Sequence, residues 1–155
     1  TVEPRELYDR FGFRALITNS YIIRNTPKLR EEAQEKGLHE LLDFPGVIMT
    51  DSGTFQSHMY GEVEVTNEEI VEFQKSIGTD IGTTLDIFTE PDWSHEKTRR
   101  SLETTLERTQ QACELKGDMM INGVVQGSVY TDLREYSASA MASMDKILPS
   151  ATTTW

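Results

Sequence analysis

The chain has 155 residues and a net charge of −11, with 26 acidic against 15 basic side chains. That length suits one domain with a sizeable core, and its acidity argues against a broad electrostatic footprint for nucleic acid while leaving room for a local basic patch. No apolar run approaches a membrane span, no signal-peptide pattern opens the chain, and the single cysteine, Cys113, excludes an internal disulfide and suits a reducing cytosol.

Taken in order, the chain alternates short apolar runs with helical patterns. A helical stretch over Glu6 to Phe11 follows Pro4, and Arg14 to Ser20 reads as a first strand ending in polar residues. A helix over Glu31 to Leu42 breaks near Gly37, and Pro45-Gly46 introduces the second strand, Val47-Ile48-Met49. The Thr66–Glu69 spacing is a capping box, and Ile70, Phe73 and Ile77 then recur at helical spacing before the stop at Gly78. Asp80 to Asp86 is a third strand candidate. Ser94 can cap a long helix running to about Lys116, with Leu102, Leu106, Cys113 and Leu115 on its apolar stripe. Met119 to Val125 is a fourth strand, followed by a helix capped by Thr131 or Asp132 with Tyr136, Ala140 and Met144 facing inward. Beyond Asp145 the sequence carries no readable pattern. His39, His58 and His95 show no metal-ligand spacing, so no metal site can be read.

The βα alternation predicts an α/β fold with parallel strands and about four βα units. Two architectures fit: a small doubly wound sheet, or a partial (β/α)8 TIM barrel. A whole barrel takes about 250 residues, so this length would hold roughly half of one. No glycine-rich phosphate loop of the GxGxxG or GxxxxGK[ST] type is present.

Three strands end in polar groups: Asp51-Ser52-Gly53 after the second, Asp86 after the third, and Gln126-Gly127-Ser128 after the fourth. In parallel α/β folds the C-terminal strand ends carry the ligand site, so Asp51, Asp86 and Gln126 are expected on one rim. The plainer explanation is that Asp51 and Ser52 form a turn, and that Asp86 and Gln126 cap helices or close loops.

With those residues in view, Thr50-Asp51-Ser52-Gly53-Thr54-Phe55-Gln56 resembles the signature of tRNA-guanine transglycosylases. Leu85-Asp86 with Pro91 resembles their second carboxylate block, and Gly123 to Ser128 resembles a third. Ile17 to Ile23 and Tyr60 to Asn67 are similar to the archaeal branch, which makes archaeosine. The resemblance runs from about Glu6 to about Asp145. It implies a (β/α)8 barrel that exchanges guanine in the tRNA D-arm for 7-cyano-7-deazaguanine through a covalent enzyme–RNA intermediate. Asp51 is then a catalytic carboxylate, either nucleophile or general acid/base; the two-carboxylate chemistry favours acid/base. Asp86 would accept from the N1–H and NH₂ edge of the base, and Gln126 and the Gly127 N–H would donate to O6. Ser52 joins the substrate-binding set, and Phe55 either stacks on the flipped base or packs in the core.

The resemblance also implies zinc, held in the full-length family by a Cys/His cluster whose ligands are not in this chain. The first barrel strand, a second catalytic aspartate and the C-terminal RNA-binding modules of the family are likewise unmatched. Residues 1–149 are therefore expected to be a catalytic-barrel segment, with 150–155 a non-matching tail lacking the family's glycine-rich loop, and the chain is expected to be truncated and inactive alone. Thr54 replaces a smaller residue of the family pattern. The implied partners are tRNA, a 7-deazaguanine-type base and a second copy of the chain, in the cytoplasm and without a membrane. The alternative is a non-catalytic half-barrel that acts as an assembly or binding subunit.

Overall fold

The computed structural model describes residues 2–54, 65–144 and 147–151. Helix α1 (Pro4–Phe11) leads into β1 (Ala15–Asn19), followed by α2 (Ser20–Asn25), α3 (Pro27–Lys36) and α4 (Leu38–Leu42). Strand β2 (Val47–Asp51) precedes α5 (Asn67–Ser76), β3 (Ile81–Thr83), α6 (His95–Leu115), β4 (Met120–Val125), α7 (Thr131–Ala142) and β5 (Ile147–Ala151).

The strands form one five-stranded parallel sheet in the order β1-β2-β3-β4-β5. This order decides between the two architectures. A doubly wound sheet reverses direction at a switch point, whereas here every strand is added beside the one before it. Right-handed crossovers then place all connecting helices on one face, as in a (β/α)8 barrel. The fold class and four βα units stand as the sequence predicts. β5, in the stretch with no readable pattern, is an addition to the predicted four strands and runs across the 149/150 boundary.

The sheet's two faces differ. Ile48 packs with Phe73 and Ile77 beneath the helices, and Ile121 packs with Ile70 and Val71. On the opposite face, Ile17, Met49, Ile81 and Met120 share one register line. Ile17 remains 62% exposed and Met120 38%, so this inner face has little cover from the described residues.

Local signals set the helix ends. Thr66 and Glu69 form both bonds of the capping box, and Ser94 accepts from the Lys97 N–H. Helix α7 departs from the reading above. Its N-cap is Tyr130, with no side-chain cap bond, and neither Thr131 nor Asp132 caps it. Its buried residues are Leu133, Ser137 and Met141, while Tyr136 is exposed. The stripe turns because Gly123 leaves room that Met141 fills: a Cβ on Gly123 would lie 2.8 Å from the Met141 sulfur. Helix α6 also differs. Its buried face is Thr98, Ser101, Leu102, Thr105, Thr109 and Ala112, with Leu106, Cys113 and Leu115 only half-buried. Ser101, Thr105 and Thr109 can be buried because each hydroxyl donates to the carbonyl four residues earlier.

A buried amide joins α5 to the sheet. Gln74 is fully buried; its Oε1 accepts from the Thr50 hydroxyl (2.7 Å) and the Thr83 N–H (2.9 Å). Its Nε2 donates to the Thr83 carbonyl (3.0 Å) and the Ile70 carbonyl (3.2 Å). Gln74→Leu keeps the approximate shape but strands these partners in a dry site. It should destabilise the fold by ~2–4 kcal/mol in equilibrium urea unfolding. A change below ~0.5 kcal/mol would show that the partners find other bonds.

Candidate active site

The rim at the C-terminal strand ends is polar across the inner face. Asn19 pairs with Asp51 and Thr83 with Asn122 in the parallel register. The alternation that points Ile17 and Met49 inward points Asn19 and Asp51 inward too.

Asp51 closes β2 and is held by the preceding strand. Asn19 Nδ2 donates to Asp51 Oδ2 at 3.3 Å, and the Ser20 hydroxyl donates to the Asp51 carbonyl at 2.6 Å. Asn19 is itself oriented, since its Oδ1 caps α2 by accepting from the Ile22 N–H. Ser52 is buried, with its hydroxyl 3.4 Å from that of Thr54. Gly53 has φ 83°, and a Cβ there would lie 2.2 Å from the Tyr21 Cβ. Any other residue at 53 would be strained and would clash with Tyr21. Phe55 lies outside the described residues.

Asp86 does not end a strand, in contrast to the reading above. β3 stops at Thr83, and Asp86 follows three residues later in irregular backbone. It is nonetheless on the same rim, because Gln126 Nε2 donates to Asp86 Oδ2 at 2.6 Å. Gln126 follows β4 directly and is 3% exposed. Its N–H donates to the Ser137 hydroxyl, and its Oε1 accepts from the Thr89 hydroxyl at 3.4 Å. That bonding fixes the amide orientation and leaves the second Nε2 hydrogen for another acceptor. Gly127 has φ 135°, and a Cβ there would lie 2.6 Å from the Arg134 nitrogen, so only glycine lets α7 approach this turn.

Burial pushes the Asp86 carboxyl above its ordinary range; the Thr54 hydroxyl opposes the shift, and the nearby Asp51 charge adds to it. The Thr54 hydroxyl also donates to the Asp86 carbonyl at 3.3 Å. The geometry thus brings Asp51, Ser52, Asp86, Gln126 and Gly127 to one rim. Asn19, Ser20, Thr54 and Thr89 join them without having been singled out by type. Their common signal was position: each follows, or lies near, the end of a strand.

At the rim's outer edge, His95 Nε2 and Asp132 Oδ2 are 2.7 Å apart, and the Tyr130 hydroxyl donates to the Trp93 carbonyl at 2.8 Å. These contacts tie α6 to α7. His39 lies near the opposite rim, with Nδ1 2.9 Å from the Phe44 carbonyl and Nε2 3.0 Å from Asp80. Among the described residues no group of three or more His, Cys, Asp or Glu side chains is arranged to hold a metal ion, so they do not fit a zinc site. Among them, too, no helix is long and apolar enough to cross a membrane.

The sequence model of the queuine tRNA-ribosyltransferase family matches residues 1–150. The chain belongs to this family. Among its relatives, a protein of Thermococcus onnurineus named tRNA-guanine(15) transglycosylase is 56% identical over 145 residues, covering 94% of this chain and 25% of the relative. Proteins with the same name from Methanopyrus kandleri and Haloarcula marismortui are 51% and 50% identical over 144 residues. Those alignments cover 93% and 92% of this chain, and 31% and 29% of the relatives. The chain spans about a quarter of the length of the Thermococcus and Pyrococcus relatives it matches. Family membership agrees with the resemblance carried by the three rim motifs.

Proposed function

We propose that this rim is the base-exchange pocket of an archaeosine-type tRNA-guanine transglycosylase, which replaces guanine in the tRNA D-arm with 7-cyano-7-deazaguanine. The observation that carries the reading is the part-buried contact between Asp86 and the buried Gln126, 2.6 Å long and near the Asp51 charge. A guanine-like edge offers N1–H and NH₂ as parallel donors and O6 as acceptor. A carboxylate beside an amide with a spare hydrogen is complementary to that edge. Asp51 takes the acid/base role at the ribose, Ser52 and the Gly127 N–H line the pocket, and Phe55 is the candidate stacking ring. A cytoplasmic setting accompanies a tRNA substrate. The family's zinc would need ligands other than those described, and no step here passes through it.

The experiment is exchange of labelled guanine in tRNA by a chimera, in which residues 1–150 replace the matching stretch of the Thermococcus onnurineus relative. Incorporation of 7-cyano-7-deazaguanine is the expected result. Exchange no faster than with a chimera lacking Asp51 and Asp86 would reject the reading.

The uncovered inner face favours an additional property, self-association. Ile17, Val47 and Met120 expose apolar surface on one side of the sheet, and covering it from a second copy would remove that surface from water. Sedimentation should show concentration-dependent association that Ile17→Lys weakens by at least tenfold, since a buried ammonium without a partner is costly. A parent that stays a compact monomer at high concentration would end this idea.

A further inference from the structure

The backbone on either side of Asp86 has no strand ladder to hold it, because β3 ends at Thr83. Side chains from two helices take the ladder's place. The Leu85 N–H donates to Asn67 Oδ1 at 3.1 Å, and the Leu85 carbonyl accepts from Arg108 Nη1 at 3.0 Å. The Ile87 N–H donates to the Thr105 hydroxyl at 3.3 Å, and the Thr84 and Thr109 hydroxyls lie 3.4 Å apart. Thr105, Arg108 and Thr109 are spaced i, i+3 and i+4, so one face of α6 meets residues 84–87.

Asn67 and Arg108 are also joined to each other. Asn67 Nδ2 donates to the Arg108 carbonyl and to Gln111 Oε1, both at 2.8 Å. The Asn67 amide therefore has one workable orientation: its oxygen faces an N–H and its nitrogen faces two acceptors. Asn67 is 6% exposed, and Thr105 and Thr109 are fully buried, so water does not compete well for these bonds. Arg108 turns its guanidinium onto the Leu85 carbonyl. Among the described residues it makes no ion pair.

We propose that Asn67 and Arg108 are positioning residues for base recognition: from α5 and α6 they hold the backbone N–H and carbonyl of Leu85 and thereby set the place and angle of the Asp86 carboxylate. A bidentate carboxylate works only when both oxygens meet their donors in line, and the bonds weaken steeply with misalignment. A three-residue strand cannot impose that angle three residues beyond its end, whereas partners on both the N–H and the carbonyl of the residue just before Asp86 can. The inference rests on the reading of Asp86 as a base-binding group given under Proposed function.

The test is calorimetry of free 7-cyano-7-deazaguanine binding to the chimera, with thermal unfolding and tRNA affinity measured on each variant. Asn67→Ala and Arg108→Met should each weaken base binding roughly 10-fold, while Arg108→Lys, which keeps a donor for the Leu85 carbonyl, should stay within about threefold of the parent. Affinity for tRNA should not change. On an Asp86→Asn background neither substitution should weaken base binding further, because the group they position is already disabled. Parental base affinity in Asn67→Ala and Arg108→Met, with Asp86→Asn alone impaired, overturns the positioning role and leaves the pocket reading intact. A further loss on the Asp86→Asn background also overturns it, since the two residues would then act through general packing. If Asp86→Asn itself binds as tightly as the parent, it is the pocket reading that has failed. Should Asn67→Ala not fold, the Arg108→Met and Arg108→Lys pair on both backgrounds decides the question.

Discussion

Asp86→Asn is expected to remove most of the affinity for 7-cyano-7-deazaguanine. The amide keeps the shape of the side chain, and its oxygen can still accept from Gln126 Nε2, which now lies 2.6 Å from the carboxylate. Its nitrogen, however, would face a donor of the base. A lost charge-assisted bond and an unpaired donor in a buried site should cost about 2–4 kcal/mol, or roughly 30- to 1000-fold in affinity by calorimetry. The same substitution has a pH signature. The carboxyl is held above its ordinary range chiefly by burial, so folding penalises its charged form. That penalty is absent below the unfolded carboxylate range, grows as pH rises, and is complete above the raised folded value. Asp86→Asn should therefore melt at a higher temperature than the parent at neutral pH. The gap should close as pH falls from the raised value to the ordinary one. Base affinity of the parent should weaken over the same window, because only the ionised group accepts both donors. A melting difference that does not vary with pH would show that Asp86 titrates like an exposed aspartate.

Asp51→Asn is expected to do the opposite: abolish exchange and spare binding of the free base. The local structure should survive, because an amide at 51 can still accept from Asn19 Nδ2, and the main-chain carbonyl still accepts from Ser20. What disappears is a group able to take and return a proton, a loss of roughly 10²–10⁴-fold in turnover. Labelled-guanine exchange in tRNA reports turnover, and calorimetry should give a base affinity within about threefold of the parent. Exchange at the parental rate would make Asp51 a turn residue. Loss of base binding would move its role from the ribose to the base. The pair of substitutions separates recognition from chemistry, since each leaves the other's observable in place.

Under the proposed function, an acidic chain serving a tRNA substrate needs its positive potential to be local or supplied from elsewhere. Within α6 the exposed arginines are already matched: Arg99 pairs with Glu103 and Arg100 with Glu96. Such exposed pairs contribute little to stability, but they neutralise the cations that a phosphate backbone would otherwise use. The rim, by contrast, suits the neutral, flat base edge of the proposed function. Its groups are amides, hydroxyls and carboxylates, and among the described residues no lysine or arginine side chain bonds to Asp51 or to the carboxylate of Asp86.

By itself the sequence determined the four βα units and put Asp51 and Gln126 at the C-terminal ends of two of their strands. Helix starts were legible where one side chain satisfies one backbone group, as in the Thr66–Glu69 box and the Ser94 cap, because those bonds span three residues. Asp51 and Gln126 were legible because period-two alternation fixes the face of a residue that ends a strand or directly follows one. The tertiary structure decided what depends on partners far along the chain. β5 forms because Ile147 to Ala151 has β4 beside it, not because its own residues repeat. The buried stripe of α7 follows Leu133 and Met141 because Gly123, on a different element, leaves the space. The Thr-rich buried face of α6 cannot be read from hydrophobicity, since the Ser101, Thr105 and Thr109 hydroxyls donate to the helix's own carbonyls and Thr105 also accepts from the loop it meets. Asp86 shows the division within one residue. Its type and neighbours marked it in the sequence, but its place on the rim rests on Asn67 and Arg108, 19 and 22 positions away, because a loop without a ladder takes its shape from whatever bonds it from outside.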